Sequence, residues 1–219
     1  MDGRTRSPEV TFASSFMVEY MQYQLIYADP PWTYHDKAHA GQRGVIHKYS
    51  LMTVPQLCAL NVADIADDDC LLAMWWVAPM PTEALAVVKA WGFELKTMKG
   101  FTWHKRTKNG KSHMGMGHWT RANTEDCLFA VRGRPVRSSA AVRQFIDAPR
   151  RRHSEKPEEA RDRLVQLVGG VPRIELFARQ ATPGWDVWGN EVKSEFQLRR
   201  SATAGLSLSS QEPDEPPNP

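Results

Sequence analysis

Apolar runs and polar intervals divide this chain into alternating strands and helices. Tyr23 to Ala28 is the first compact apolar strand. A polar loop follows from Thr33 to Tyr49, carrying His35, His39, His47, Gly41 and Gly44, and it is long enough to close over a site. A helix is expected from Thr53, because Thr53 and Gln56 are spaced as a capping box and Pro55 fits a first turn. Cys70 to Val77 is almost continuously apolar, as in a parallel strand buried on both faces. Thr82 to Trp91 reads as a helix stopped by Gly92, and Phe93 to Trp103 and Asp126 to Arg132 read as strands.

The last third repeats the alternation. Pro157, Glu158 and Glu159 suit a first helical turn, and Ala160, Leu164, Leu167 and Val168 form one apolar stripe. Gly169-Gly170 ends that helix, and Ile174 to Ala178 is the next strand. The pattern predicts an α/β, Rossmann-like fold: a doubly wound, mostly parallel sheet with helices on both faces. Residues 1–22 carry no clean period and are expected to be a leader or edge element, 23–192 the folded domain, and 193–219 a disordered tail.

Composition narrows the setting. A chain of 219 residues, 42% hydrophobic and 24% charged, suits one domain with a full core. No run approaches the ~20 apolar residues of a membrane span, so a cytoplasmic location is expected, nucleoid-associated if the partner is DNA. Cys58, Cys70 and Cys127 lie far apart in apolar or alternating surroundings and read as reduced core thiols. The seven histidines form no ligand set, and no metal is assigned.

Charge is segregated. Twelve Lys and Arg residues lie between His104 and His153 against Glu125, Asp126 and Asp147, so this stretch carries +9 of a chain whose net charge is only +3. A positive surface of this kind fits a polyanion, whose condensed counterions are released on binding. Within it, Lys105, Arg106, Lys108, Lys111 and Arg121 are the candidate phosphate contacts.

The sharpest chemical signal is Asp29-Pro30-Pro31-Trp32, directly behind the first strand. An exocyclic amine on adenine or cytosine has its lone pair delocalised into the ring. It attacks a methyl donor only when fixed acceptors draw the nitrogen toward tetrahedral geometry. The Asp29 carboxylate can take one N–H and the Pro30 carbonyl the other, with the diproline presenting that carbonyl free of a competing backbone donor. Trp32 offers a face for the base, and Tyr34 lies where it could stack or pack. Ligands of open α/β sheets bind beyond the carboxyl ends of strands, where this motif sits. No G-x-G-x-x-G is present, which speaks against a nicotinamide dinucleotide. Phe177 and Arg179, at the end of the Ile174 strand, suit an adenosine and a carboxylate.

Five blocks in one order carry a resemblance. They are Asp29-Pro30-Pro31-Trp32; Gly117-His118-Trp119 with Glu125 and Cys127-Leu128; His153 through Glu159; Glu175 through Arg179; and Gly184 through Glu191. Together, over about residues 22 to 192, they resemble the MT-A70 family of S-adenosyl-L-methionine-dependent adenine-N6 methyltransferases, in the compact build of its bacterial and phage members. The resemblance implies that Asp29 contacts both the target amine and the cofactor's amino group, and that Lys156, beside His153, holds the cofactor carboxylate. It further implies Phe177 and Arg179 at the adenosine, Asn190 and Glu191 at its polar edge, and His118 and Trp119 shaping the target pocket. The expected partner is nucleic acid, DNA ahead of RNA, bound by a monomer or homodimer. Cytosine-N4, a glutamine amide, or a non-catalytic partner role are the competing readings.

Overall fold

The computed structural model describes residues 21–33, 51–117, 119–151, 155–194 and 198. Residues 1–20 of the expected leader or edge element, the His-rich loop beyond Thr33 with Tyr34, the residues His118 and His153, and most of the expected tail lie outside the described residues.

Among the described residues seven strands form one sheet. In chain order they are β1 (Tyr23–Ala28), β2 (Ala66–Trp76), β3 (Glu94–Arg106), β4 (Thr124–Arg132), β5 (Phe145–Pro149), β6 (Arg173–Leu176) and β7 (Asp186–Trp188). Their spatial order is β5-β3-β4-β2-β1-β6-β7, and β4 alone runs against the others. The carboxyl ends of the six co-directed strands and the start of β4 therefore share one edge, where the Asp29 motif emerges from β1.

Helices cover both faces, as the alternation predicts. On one face α1 (Val54–Cys58) and α2 (Pro81–Ala90) pack Leu57, Ala84, Val87 and Val88 against Ile26, Leu72, Met74 and Ile174. On the other, α3 (Glu158–Val168) buries Ala160, Leu164 and Val168 against Leu25, Ala73 and Trp103. A fully buried leucine such as Leu164 contributes about 1.5–3 kcal/mol. The opposite sides of each strand are thus both apolar, which is why β1 and the middle of β2 read as unbroken apolar runs.

Local signals are realised in detail. Thr53 caps α1 through the full capping box with Gln56, and Gly169 ends α3 at a φ of 85°. Cys70 and Cys127 are buried, Cys58 is half-buried, and all three are free thiols.

Four departures have physical causes. β2 begins at Ala66, four residues before the apolar run. Asp67, Asp68 and Asp69 enter the strand where its register against β1 shifts, and Asp69 accepts the Arg134 N–H at 2.6 Å. β3 continues to Arg106 because antiparallel pairing to β4 and parallel pairing to β5 hold its basic end. β5 and β7 are short strands at the two edges of the sheet, embedded in polar sequence. β6 stops at Leu176, and Phe177 lies outside it at a φ of 62°. A left-handed bulky residue is strained, and such strain is characteristic of ligand-facing turns.

Candidate active site

Asp29 follows the last residue of β1 and meets a side chain from the far end of the chain. Lys156, in the extended segment before α3, donates to both Asp29 oxygens at 2.8 Å each. Its ammonium also lies 3.4 Å from Glu125 Oε2 and 5.5 Å from the centre of the Trp75 ring. Glu125 Oε1 accepts from Lys105 Nζ at 2.9 Å. Asp29, Lys156, Glu125 and Lys105 therefore form a continuous, charge-balanced chain from the Asp29 motif to the basic end of β3.

The side chains are sequestered, with 11% of Lys156 and 23% of Asp29 exposed. Burial pushes the Asp29 carboxyl above its ordinary value of 3.8, with Lys156 pulling against it and Glu125 adding to the rise. Burial also works against the Lys156 ammonium, but Asp29 and Glu125 outweigh it and hold Lys156 above an ordinary lysine. Glu125 is held below an ordinary glutamate because Lys156 and Lys105 overcome its own desolvation.

The diproline turn is built differently from its sequence reading in one respect. The Pro30 carbonyl accepts the Trp32 N–H at 2.9 Å, so it does have a backbone donor. Pro31 has no N–H to offer, so the chain closes on the next residue. A carbonyl has two lone pairs, and the second is free of that bond. Trp32 itself is a core residue, 6% exposed, with its indole N–H on the Trp75 carbonyl at 3.1 Å. Trp75 in turn donates to the Tyr27 hydroxyl at 2.7 Å. The Trp32 ring anchors the turn in the core. Met52 donates to the Pro31 carbonyl at 2.9 Å and completes the clamp.

The cofactor-side candidates converge on the same edge. Phe177 packs between Trp91, at 6.5 Å and nearly parallel, and Trp188, at 5.4 Å and edge-on. Arg179 lies half-buried, with Nε 3.9 Å from Glu191, and favours the ionised form of Asp29. Asn190 and Glu191 are exposed just beyond β7. Glu175, at the centre of β6, is committed to Arg161 of α3 at 3.0 Å and fixes that helix to the sheet. A cleft of about 590 Å³ is lined by Lys108, Arg151, Glu155, Glu158 and Gln180.

The basic candidates divide into two kinds. Lys105 is paired with Glu125, and Arg106 grips both Asp147 oxygens at 2.6 and 2.8 Å. Lys108, Lys111, Trp119 and Arg121 are exposed on the β3–β4 connection. Glu125 had no role in the sequence reading, and Tyr27, Trp75 and Trp91 read as plain core. The antiparallel pairing of β4 with β2, next to β1, brings Glu125 against Lys156.

The donor set suits a zwitterionic amino acid: an ammonium and a carboxylate, side by side and sequestered, are the charge complement of an amino acid's own two groups. Among the described residues no three His, Cys, Asp or Glu side chains gather as a metal site, and no helix is long and apolar enough to cross a membrane.

Comparison with known proteins agrees with this architecture. The chain is 34% identical over 189 residues to the Type II methyltransferase M.MunI of a Mycoplasma species, covering 78% of each chain. It is 30% identical over 183 residues to the N6-methyladenosine RNA methyltransferase MTA1 of Cryphonectria parasitica, covering 81% of this chain and 54% of that one. It is 26% identical over 180 residues to the human N(6)-adenosine-methyltransferase catalytic subunit METTL3, of which it spans 28%. The MT-A70 family model matches residues 23–191, which include Asp29, Glu125, Lys156, Phe177 and Arg179, and the chain belongs to the MT-A70 family.

Proposed function

We propose that this protein methylates the exocyclic N6 amine of adenine in nucleic acid, with DNA ahead of RNA, using S-adenosyl-L-methionine. The observation that carries the reading is the Asp29–Lys156 pair at the carboxyl edge of the parallel strands. S-adenosyl-L-methionine supplies, when bound, an electrophilic methyl on a sulfonium. Lys156 would hold its carboxylate, and Asp29, turned from Lys156, would take its amino group.

The remaining acceptor capacity faces the target. A second Asp29 lone pair and the free lone pair of the Pro30 carbonyl accept the two N–H bonds of the adenine amine, favouring the developing positive charge on nitrogen. Burial raises the basicity of Asp29, which suits it to receive the proton that the amine loses. Phe177, backed by the buried Trp91 and by Trp188, would be the aromatic wall for an adenosine, and Arg179 with Glu191, near Asn190, its polar edge. Much of the acceleration comes from holding amine and methyl in line. The target base leaves its stack to reach such a site, or is already unpaired.

DNA is placed first because the chain matches the Type II methyltransferase along 78% of that protein, whereas it spans 28% of METTL3. The deciding experiment is nucleoside mass spectrometry after incubation of the purified protein and cofactor with duplex DNA, single-stranded DNA and RNA. N6-methyl-deoxyadenosine that disappears in Asp29→Ala is the expected result. N6-methyladenosine in RNA alone would move the substrate, and activity retained by Asp29→Ala would overturn the mechanism.

A further inference from the structure

The connection between β3 and β4, residues 107–123, stands out from the basic surface because it holds Lys108, Lys111 and Arg121 and no Asp or Glu. It leaves the sheet at the same edge as Asp29, between Lys105 and Glu125. Its backbone is closed on itself: Thr107 N–H bonds the Lys111 carbonyl at 2.8 Å, His113 N–H the Lys105 carbonyl at 2.7 Å, and Gly115 N–H the Ala122 carbonyl at 2.9 Å. Arg150, just past β5, braces it through His113 at 2.7 Å. At Gly115 and Gly117 a Cβ would overlap the Ala122 and Thr120 carbonyl oxygens, so the tip folds backbone against backbone and leaves no space beneath for a side chain.

Trp119 accordingly points away from the protein and is 100% exposed, while Met114 and Met116 are 74% and 73% exposed. A large flat ring in water on a braced, wholly cationic hairpin meets the two needs of a single nucleic-acid strand. Cations track the phosphates, and an aromatic face receives a base regardless of its identity. Duplex DNA hides base faces in its stack, so the feature is matched to unpaired nucleotides. The cationic surround disfavours a basic or neutral protein face and complements a polyanion.

Resting on the nucleic-acid reading above, we propose that this hairpin tip is a base-stacking platform. Trp119 stacks on an unpaired nucleotide beside the adenine to be methylated, and Lys108, Lys111 and Arg121 hold the adjoining phosphates. The tip would then favour strands already open or locally melted over intact duplex.

The test compares wild type, Trp119→Phe and Trp119→Ala for binding to one adenine-containing oligonucleotide, single-stranded and as its duplex, over a salt series, with sedimentation of each protein. Trp119→Ala is expected to weaken single-strand binding about 5- to 150-fold, the range of one lost base–aromatic stack. Its salt slope should stay unchanged, since no charge is removed. Trp119→Phe should retain most of the affinity, and the preference of wild type for single strand should shrink in Trp119→Ala. Equal single-strand affinity in wild type and Trp119→Ala would overturn the platform, as would a loss that tracks a change from dimer to monomer, which would make the tip a protein contact. Wild type that methylates adenine with no dependence on Trp119 would sink this inference alone, whereas no binding to any nucleic acid would sink the parent reading with it.

Discussion

In the proposed reaction Asp29 is one carboxylate serving two partners, and its surroundings set when it is available. Burial raises its pKa, Lys156 and Arg179 lower it, and Glu125 raises it. The acid limb of kcat/KM reports the free enzyme. It should therefore lie above the ordinary aspartate value of about 3.9. Glu125→Gln removes a repelling carboxylate and leaves Lys156 wholly to Asp29, so both effects move the limb to lower pH. A pH–rate series with the cofactor varied would check this, and a limb that stays put or rises would separate Glu125 from Asp29. Asp29 and Lys156 were legible in the sequence because each sits in a short motif whose residue types state their chemistry. Glu125 was not. It entered only as part of a motif block with no role attached, and at the start of an alternating strand it looks like any solvated charge until β4 is paired in register with β2 beside β1. The same limit applies to Trp32, whose ring reads as a stacking face in sequence, while its burial and its bond to the Trp75 carbonyl make it a core anchor.

At the scale of elements, the sheet is held in shape by specific close approaches as well as by apolar patterning. β3 slips register against β4 between Leu95 and Phe101, and Gly100 lies in that irregular stretch with the Phe129 ring covering it. A Cβ there would overlap the ring, which is already edge-on to Phe101 at 5.0 Å. Gly100→Ala should cost about 1–3 kcal/mol of stability by overpacking. In a domain of this size that lowers Tm by roughly 2–4 °C per kcal/mol, which thermal unfolding would read. An unchanged Tm would mean that the strand slides to make room. β1, α1, α2, α3 and the apolar stretch of β2 could be read from periodicity and caps, because burial on a face is what the period encodes. β5 and β7 could not, since three to five residues at a sheet edge owe their conformation to the neighbouring strand.

Across the whole molecule, the positive segment that looks uniform in sequence is two populations once folded. Lys105 and Arg106 are spent internally, the first on Glu125 and the second on Asp147 in a two-pronged pair. Asp147 is accordingly held below the ordinary carboxylate value by Arg106. Lys108 and Lys111 are exposed on the hairpin and carry their charge outward. Electrostatic binding to DNA depends on the number of phosphates neutralised, so these two groups should differ in one measurable way. Replacing Lys108 and Lys111 together with Ala should flatten the slope of log K against log salt by about 0.9 per lost duplex contact, or about 0.7 on a single strand. Arg106→Ala should leave that slope nearly unchanged, because the cation it removes was already neutralised by a carboxylate. Its effect should appear as looser pairing of β3 with β5, read by hydrogen exchange at Lys105 to Ala148. If Arg106→Ala flattened the slope as much as the double lysine variant does, the Asp147 pair would have to open on binding, and the count of phosphate contacts would extend from the hairpin tip down to the sheet edge beside Asp29.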